Sequence, residues 1–301
     1  MIENRPFLNF LTHLILIVGV VTVVFPVYLA FIAATHGPTD FMSGLMPLLP
    51  GDQLITNFDQ LLSAGNSVAG APPFALMLAN SLLMAVMIAV GKIAISIISA
   101  FAIVYFRFPL RMVAFWIIFL TLMLPVEVRI LPTYEAVANV ALPLQWLADV
   151  AGIEVTLDWN MMNSYGGLIL PLIASATATF LFRQFFLTVP EELCEAARID
   201  GCSPLRFFRS ILLPLSVPNM VALAIILFLY GWNQYLWPLL FTTDKDMATA
   251  VIGLKSLIPQ SDSEPAWNIA MNAALLVMLP PVVVVMLLQR WLVKGLVDAG
   301  K

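Results

Sequence analysis

Six stretches of this sequence are each long and apolar enough to cross a lipid bilayer, and that constraint precedes every other. They run from about Asn9 to Ala34, Phe74 to Phe106, Met112 to Ala138, Tyr165 to Phe186, Val217 to Thr242 and Trp267 to Trp291. A hydrocarbon core about 30 Å thick takes roughly 20 helical residues, so each run is sufficient. The balance of residues agrees: 61% are hydrophobic and 11% charged, whereas about a quarter of a soluble domain is charged. The reading is an all-α integral membrane protein with six transmembrane helices. The first run is far longer than a signal-peptide core of about 7 to 15 residues, so it should stay in place as a span.

Orientation follows from the basic residues. With both termini in the cytoplasm, that side collects Arg5, Arg107, Arg111, Arg183, Arg198, Arg206, Arg209, Arg290, Lys294 and Lys301, and the outside only Lys245 and Lys255. Asymmetry of this size is the positive-inside signature. The outer segments, about Thr35 to Pro73 and Asn139 to Ser164, contain no Lys or Arg and read as loops punctuated by Gly and Pro; the last outer loop carries Asp244, Asp246, Asp262 and Glu264. A net charge of -4 offers no basic patch to a phosphate backbone, so nucleic acid is not an expected partner. Pro132 removes a backbone donor and crowds the Val128 carbonyl, which predicts a kink or break there, and Pro280-Pro281 should bend the last helix.

Lys92, Glu127, Arg129 and Glu135 are ionisable residues that fall inside the spans. Such a charge costs at least about 2.5 to 3.5 kcal/mol at the bilayer centre, so it normally faces protein or water. Glu127 and Arg129 are two residues apart, about 200° round a regular helix. Either the helix unwinds and they pair, or each finds another partner, with Lys92 the obvious one for Glu127. The charges then either neutralise one another to fix packing or form a basic lining for an anionic solute. A second group is the run Gly231 to Pro238, in which Tyr230, Asn233, Gln234 and Trp237 share a face of a continuous helix. With Tyr235 between them, Asn233, Gln234 and Trp237 are candidates for a solute path or outer gate, where amides and aromatic faces suit hydroxyl groups; Trp237 alone also fits an aromatic belt.

Between the fourth and fifth spans, residues 187–216 carry charges of both signs. Thr188 followed three residues later by Glu191 reads as a capping box around Pro190. Gly201 should end that helix, and Ser203-Pro204 should start another. Leu193, Ala196, Ala197 and Asp200 fall on one small, shallow face. Glu195-Ala196-Ala197, then Asp200-Gly201, then Ile211-Leu212-Leu213-Pro214 resembles the EAA loop of ABC importer permeases. W-N-Q-Y-L-W-P-L-L from Trp232 is similar to the carbohydrate group of that family, related to the maltose permeases. T-L-M-L-P-V-E-V-R-I from Thr121, with the flanking F-A-I-V-Y-F-R-F-P-L-R and T-A-T-F-L-F-R-Q-F-F, resembles more narrowly its permeases for sn-glycerol-3-phosphate.

The resemblance implies a type I, MetI-like permease fold in the inner membrane, with residues 1–301 forming a single transmembrane permease domain. It also implies a heteromeric importer: this chain, a second permease subunit, two ATPase subunits carrying ATP and Mg, and an extracytoplasmic solute-binding protein. Leu193, Glu195, Ala196, Ala197, Asp200 and Gly201 would couple the chain to the ATPase, and the solute would be sn-glycerol-3-phosphate or a related glycerophosphodiester. The alternatives are a neutral sugar or polyol as solute and, more remotely, an ion-coupled secondary transporter using Glu127 and Lys92. Gly91-Lys92 is not a phosphate-binding loop, because Val86 stands where that motif needs glycine. His13 and His36 are far apart, and Cys194 and Cys202 lack nearby histidines and read as packing residues. The expectation is therefore no catalytic group, no metal and no cofactor bound by this chain.

Overall fold

The computed structural model describes residues 6–41, 46–64, 72–153, 158–258 and 266–298; Arg5, Asp262, Glu264, Lys301 and the side chain of Glu127 lie outside the described residues. The described chain is helical: α1 (Pro6–Ala34), α2 (Leu54–Ala64), α3 (Phe74–Tyr105), α4 (Arg111–Leu120), α5 (Val126–Ala138), α6 (Leu142–Val150), α7 (Tyr165–Ile169), α8 (Ala176–Thr188), α9 (Glu191–Ile199), α10 (Pro204–Phe207), α11 (Leu213–Trp232), α12 (Leu236–Phe241), α13 (Ala250–Ser256) and α14 (Trp267–Asp298). Four uninterrupted helical stretches are long and apolar enough to span: Phe7–Ala34, Phe74–Tyr105, Pro204–Trp232 and Trp267–Trp291. Two bent pairs bring the number up to six if each counts as one span.

The breaks depart from expectation in informative ways. In the third span the chain bends by more than 40° between α4 and α5. The break falls at Pro125, not Pro132: Leu124 is extended (φ -81°, ψ 116°) and Pro125 starts α5, because a residue before proline is pushed out of the helical region. Pro132 is tolerated inside α5, where the Thr133 hydroxyl donates to the Arg129 carbonyl at 2.6 Å. The fourth span is also two pieces, bent by 45° between Leu172 and Ala176. The fifth stops at Trp232, and Leu236–Phe241 is a separate helix. Pro238 explains this, since in a continuous helix its ring would crowd the Gln234 carbonyl. Pro280 and Pro281 lie inside an uninterrupted α14. The outer segments read as loops contain α2 and α6; α2 forms because Leu54, Asn57 and Leu61 recur at helical spacing, with Asn57 and Leu61 buried.

The chain divides into two compact units, Met1–Leu78 with Ala250–Leu279, and Ala79–Thr249 with Pro280–Lys301. The first unit is tied by buried asparagines. Asn57 donates to the carbonyls of Ala34 at 2.9 Å and His36 at 2.8 Å, and accepts from Asn268 at 2.9 Å. Asn272 donates to Ala34 as well, at 2.9 Å, so the end of α1, α2 and the start of α14 are joined by polar bonds that water does not reach. Beside them His36 bonds the Leu49 carbonyl at 2.9 Å and the Asp40 carboxylate at 3.0 Å. Those two acceptors raise the His36 pKa above its ordinary 6.5, the Leu49 carbonyl contributing most. A raised pKa makes the protonated ring the better-bound form, so its stabilisation is full below the unfolded pKa and is lost as pH rises through the folded one. The protection factors for amide exchange at Gly51 and Gln53, whose N–H groups bond Thr35, should therefore fall as pH rises above the ordinary histidine value of 6.5. His36→Gln should flatten that dependence; an unchanged profile in the variant would show that His36 does not control the segment.

The second unit has its apolar core at Met84, Ile88, Val137, Leu168, Trp237 and Phe241. α3 and α11 approach closely because Gly231 has no side chain: a Cβ there would stand 2.8 Å from the Ala85 Cα. Asn80 of α3 donates to the carbonyls of Asp246 at 2.7 Å and Ala248 at 3.0 Å, and accepts from the Tyr165 hydroxyl at 2.6 Å. One buried amide thus fixes the segment after α12 and the start of α7.

Candidate functional site

Inside the second unit is a cavity of about 520 Å³, within the ~300 to 1,000 Å³ of ligand sites. Lys92, Arg129, Tyr230 and Trp237 line it, together with the hydroxyls of Ser99, Thr121, Thr133, Thr177 and Thr179. Each arrives for a local reason. Lys92 sits mid-way along α3 and is 7% exposed; Arg129 sits in the first turn of α5, delivered by the Pro125 break. Thr177 and Thr179 follow the Ser175 cap that restarts the helix as α8.

Lys92 Nζ lies 3.7 Å from the centroid of the Tyr230 ring. A cation over an aromatic face gains about 0.5 to 2 kcal/mol, more when desolvated. Among the described residues no carboxylate lies within ion-pair distance of Lys92 or Arg129. Two cations of the same sign therefore face one cavity, and an anion is the charge that would offset both. Thr121, Thr133 and Thr179 donate their hydroxyl protons to backbone carbonyls, which leaves their oxygens to accept from a solute. Trp237 Nε1 is a buried donor with no partner among the described residues. Its indole stacks on Phe241, centroids 3.8 Å apart.

The expected face of Tyr230, Asn233, Gln234 and Trp237 does not form, because α11 ends between its members. Tyr230 and Trp237 reach the cavity by separate routes. Asn233, Gln234 and Tyr235 occupy the turn and are not in the cavity lining; the Gln234 amide bonds the Tyr230 carbonyl at 3.1 Å. Trp237 is buried in the core, so it is not an aromatic-belt residue.

The loop before α11 has a firm geometry. α9 begins at Glu191 with Pro190 at the cap, so Thr188 is not its cap; that residue ends α8, its hydroxyl bonding Phe185. Gly201 has φ +68°, and bonds from Cys202 N to Ala197 O at 2.8 Å and from Gly201 N to Arg198 O at 3.0 Å close the helix. Ser203 caps α10 by accepting from Arg206 N. The sharing of faces is different from the sequence reading: Ala197 is buried, whereas Leu193, Glu195, Ala196 and Asp200 are exposed. Ile199, which the small-residue pattern passes over, is 86% exposed. Inward, Cys194 is half-buried, and burial pushes its thiol pKa up.

Beneath the loop is an aromatic seat. Tyr105 of α3 packs against Phe186 of α8 and Phe207 of α10, centroids 5.9 and 5.5 Å apart, and Phe101 packs against Phe208 at 4.8 Å. The signal for it lay in three aromatic-rich runs around the charged turns, at residues 101–108, 180–186 and 207–208. Because Phe101 and Lys92 are on the same helix, nine residues or about 14 Å apart, α3 links the seat to the cavity.

Residues 92–298 match the family model described as binding-protein-dependent transport system inner membrane component. The sn-glycerol-3-phosphate transport system permease protein UgpE of Pectobacterium atrosepticum is 54% identical over 303 residues, with all of both chains covered. Proteins of the same name from Rhizobium meliloti and Salmonella typhi are 52% and 54% identical over 301 residues, again at full coverage. A chain in the crystal structure of a bacterial ABC transporter involved in the import of the acidic polysaccharide alginate has the same fold, with a TM-score of 0.73 over 96% of this chain and 98% of that one, at 16% identity.

Proposed function

The chain belongs to the family of binding-protein-dependent transport system inner membrane components, and from that premise we propose that it moves sn-glycerol-3-phosphate, or a related glycerophosphodiester, through the cavity around Lys92 and Arg129. As a member of that family it is a multi-pass permease subunit of the inner membrane, part of a larger transport system and not an enzyme by itself. The observation that carries the solute assignment is the pair of cations lining one cavity, with no carboxylate beside them among the described residues. A phosphate group suits both: the ammonium acts as a point charge and the guanidinium as a two-pronged donor. The hydroxyl oxygens that line the cavity suit the glycerol moiety. The names of the full-length relatives point to the same solute.

The assembly would contain a second permease subunit, two ATPase subunits and an extracytoplasmic solute-binding protein. ATP and Mg would sit on the ATPase, and this chain would bind no cofactor. Closure of the ATPase dimer would press on the exposed side of α9, at Leu193, Glu195, Ala196, Ile199 and Asp200. The aromatic seat would pass that displacement to α3 and so to Lys92. Gly201 and Ala197 would hold the shape of α9.

The test is uptake by the complete complex in proteoliposomes. Labelled glycerol phosphate should enter only with ATP, and unlabelled glycerophosphodiester should compete where glycerol and neutral sugars do not. Competition by a neutral sugar would reassign the solute, and uptake driven by an ion gradient without ATP would overturn the coupling scheme.

A further inference from the structure

A second cavity, of about 250 Å³, lies between α4 and α8 and is lined by Met112, Phe115, Trp116, Phe119, Phe180, Arg183 and Gln184. It shares no lining residue with the cavity described above. Among the described residues, Arg183 is its only charge. The guanidinium carbon lies 4.3 Å from the centroid of the Phe115 ring, and the buried Nε has no hydrogen-bond partner among the described residues. No carboxylate among those residues is within ion-pair distance of it.

Its depth is set by its two helices. α4 begins at Arg111, in the short turn carrying Arg107, and runs into the membrane; α8 leaves the membrane five residues after Arg183. In the orientation that the basic residues dictate, the cavity lies at the boundary between headgroups and acyl chains of the inner leaflet. Its rim is apolar, with Trp116 53% exposed and the neighbouring Ile117 and Leu120 at 60% and 54%. An arginine, an aromatic box and an exposed apolar strip at that level match a molecule with an anionic head and a hydrocarbon tail.

We infer that the α4–α8 cavity binds an anionic phospholipid of the inner leaflet, with its headgroup phosphate on Arg183 and an acyl chain along Trp116 and Leu120. Arg107, which is exposed, and Arg111, which is partly exposed, add attraction toward an anionic surface. The site stands apart from the solute assignment, so its test does not depend on glycerol phosphate being carried.

The test uses the assembled complex in nanodiscs of phosphatidylethanolamine doped with phosphatidylglycerol, with retained lipid counted by native mass spectrometry after detergent extraction. Arg183→Gln should lower retained phosphatidylglycerol roughly tenfold relative to phosphatidylethanolamine, and Trp116→Ala should lower both lipids. Should Arg183→Gln fail to assemble, Arg183→Lys, which keeps the charge but loses the fork, should retain an intermediate amount. Excess inorganic phosphate should not displace the lipid. Equal retention in the wild type and Arg183→Gln, as when a neighbouring subunit's carboxylate occupies the site, would overturn the inference. So would full displacement by inorganic phosphate, which would make it a free-anion site.

Discussion

Lys92→Ala is expected to raise the KM for glycerol phosphate by about 10- to 100-fold. In the free protein the Lys92 ammonium has lost most of its water, and the Tyr230 face returns only about 0.5 to 2 kcal/mol. A bound phosphate supplies the remainder through a charge-assisted hydrogen bond, about 1.5 to 3 kcal/mol, and each 1.4 kcal/mol is tenfold in affinity. Arg129→Ala should act in the same direction, and the two changes should not add, because both groups address one anion. Lys92→Arg keeps the charge but not its shape and should recover part of the loss. The measurement is the KM and the maximal rate of uptake in proteoliposomes, run beside any solute lacking phosphate. Equal losses for charged and uncharged solutes would remove the electrostatic argument and leave Lys92 as a packing residue.

What the sequence revealed and concealed follows from the range of each interaction. The long apolar runs gave α1, α3 and the start of α14 within a few residues, because a membrane helix is specified by its own composition. The end of α9 at Gly201 and the Ser203 cap were equally local. Pro125 and Pro132 carry the same local penalty, and only the surrounding structure decides that Leu124 extends while Leu131 stays helical. The apolar run through Asn233 hid the end of α11; the one clue was Pro238, four residues beyond Gln234. Nothing local could place Tyr230 on Lys92, or join Asn57 to Asn268 across more than two hundred residues. The same is true of the cavity, whose wall draws on residues from α3, α4, α5, α8, α11 and α12. Lys92 and Arg129 were legible as costly charges, but their shared cavity was not.

Gly201→Val should separate ATP hydrolysis from uptake while leaving the complex assembled. The glycine is needed for its backbone and not for room: its φ is +68°, and a Cβ built there meets nothing within 4 Å. Any substitution effect must therefore act through the conformation that closes α9. A side chain in the left-handed region costs about 1 to 2 kcal/mol, and a β-branched one is the worst placed. Release of that strain would reopen the bonds from Cys202 to Ala197 and from Gly201 to Arg198 and let Ile199 and Asp200 swing from their positions. One or two kcal/mol is a factor of about 5 to 30 in the population of the docked geometry, so uptake per ATP hydrolysed should fall by a comparable factor. The series Gly201→Asn, Gly201→Ala, Gly201→Val should descend in that order, since asparagine tolerates the left-handed region best. Glu195→Lys, which reverses an exposed charge without touching the backbone, should lower coupling by a different route and leave α9 intact. If valine and asparagine gave the same uptake per ATP, the closing turn of α9 would have no part in transmission, and the force would have to enter this subunit elsewhere.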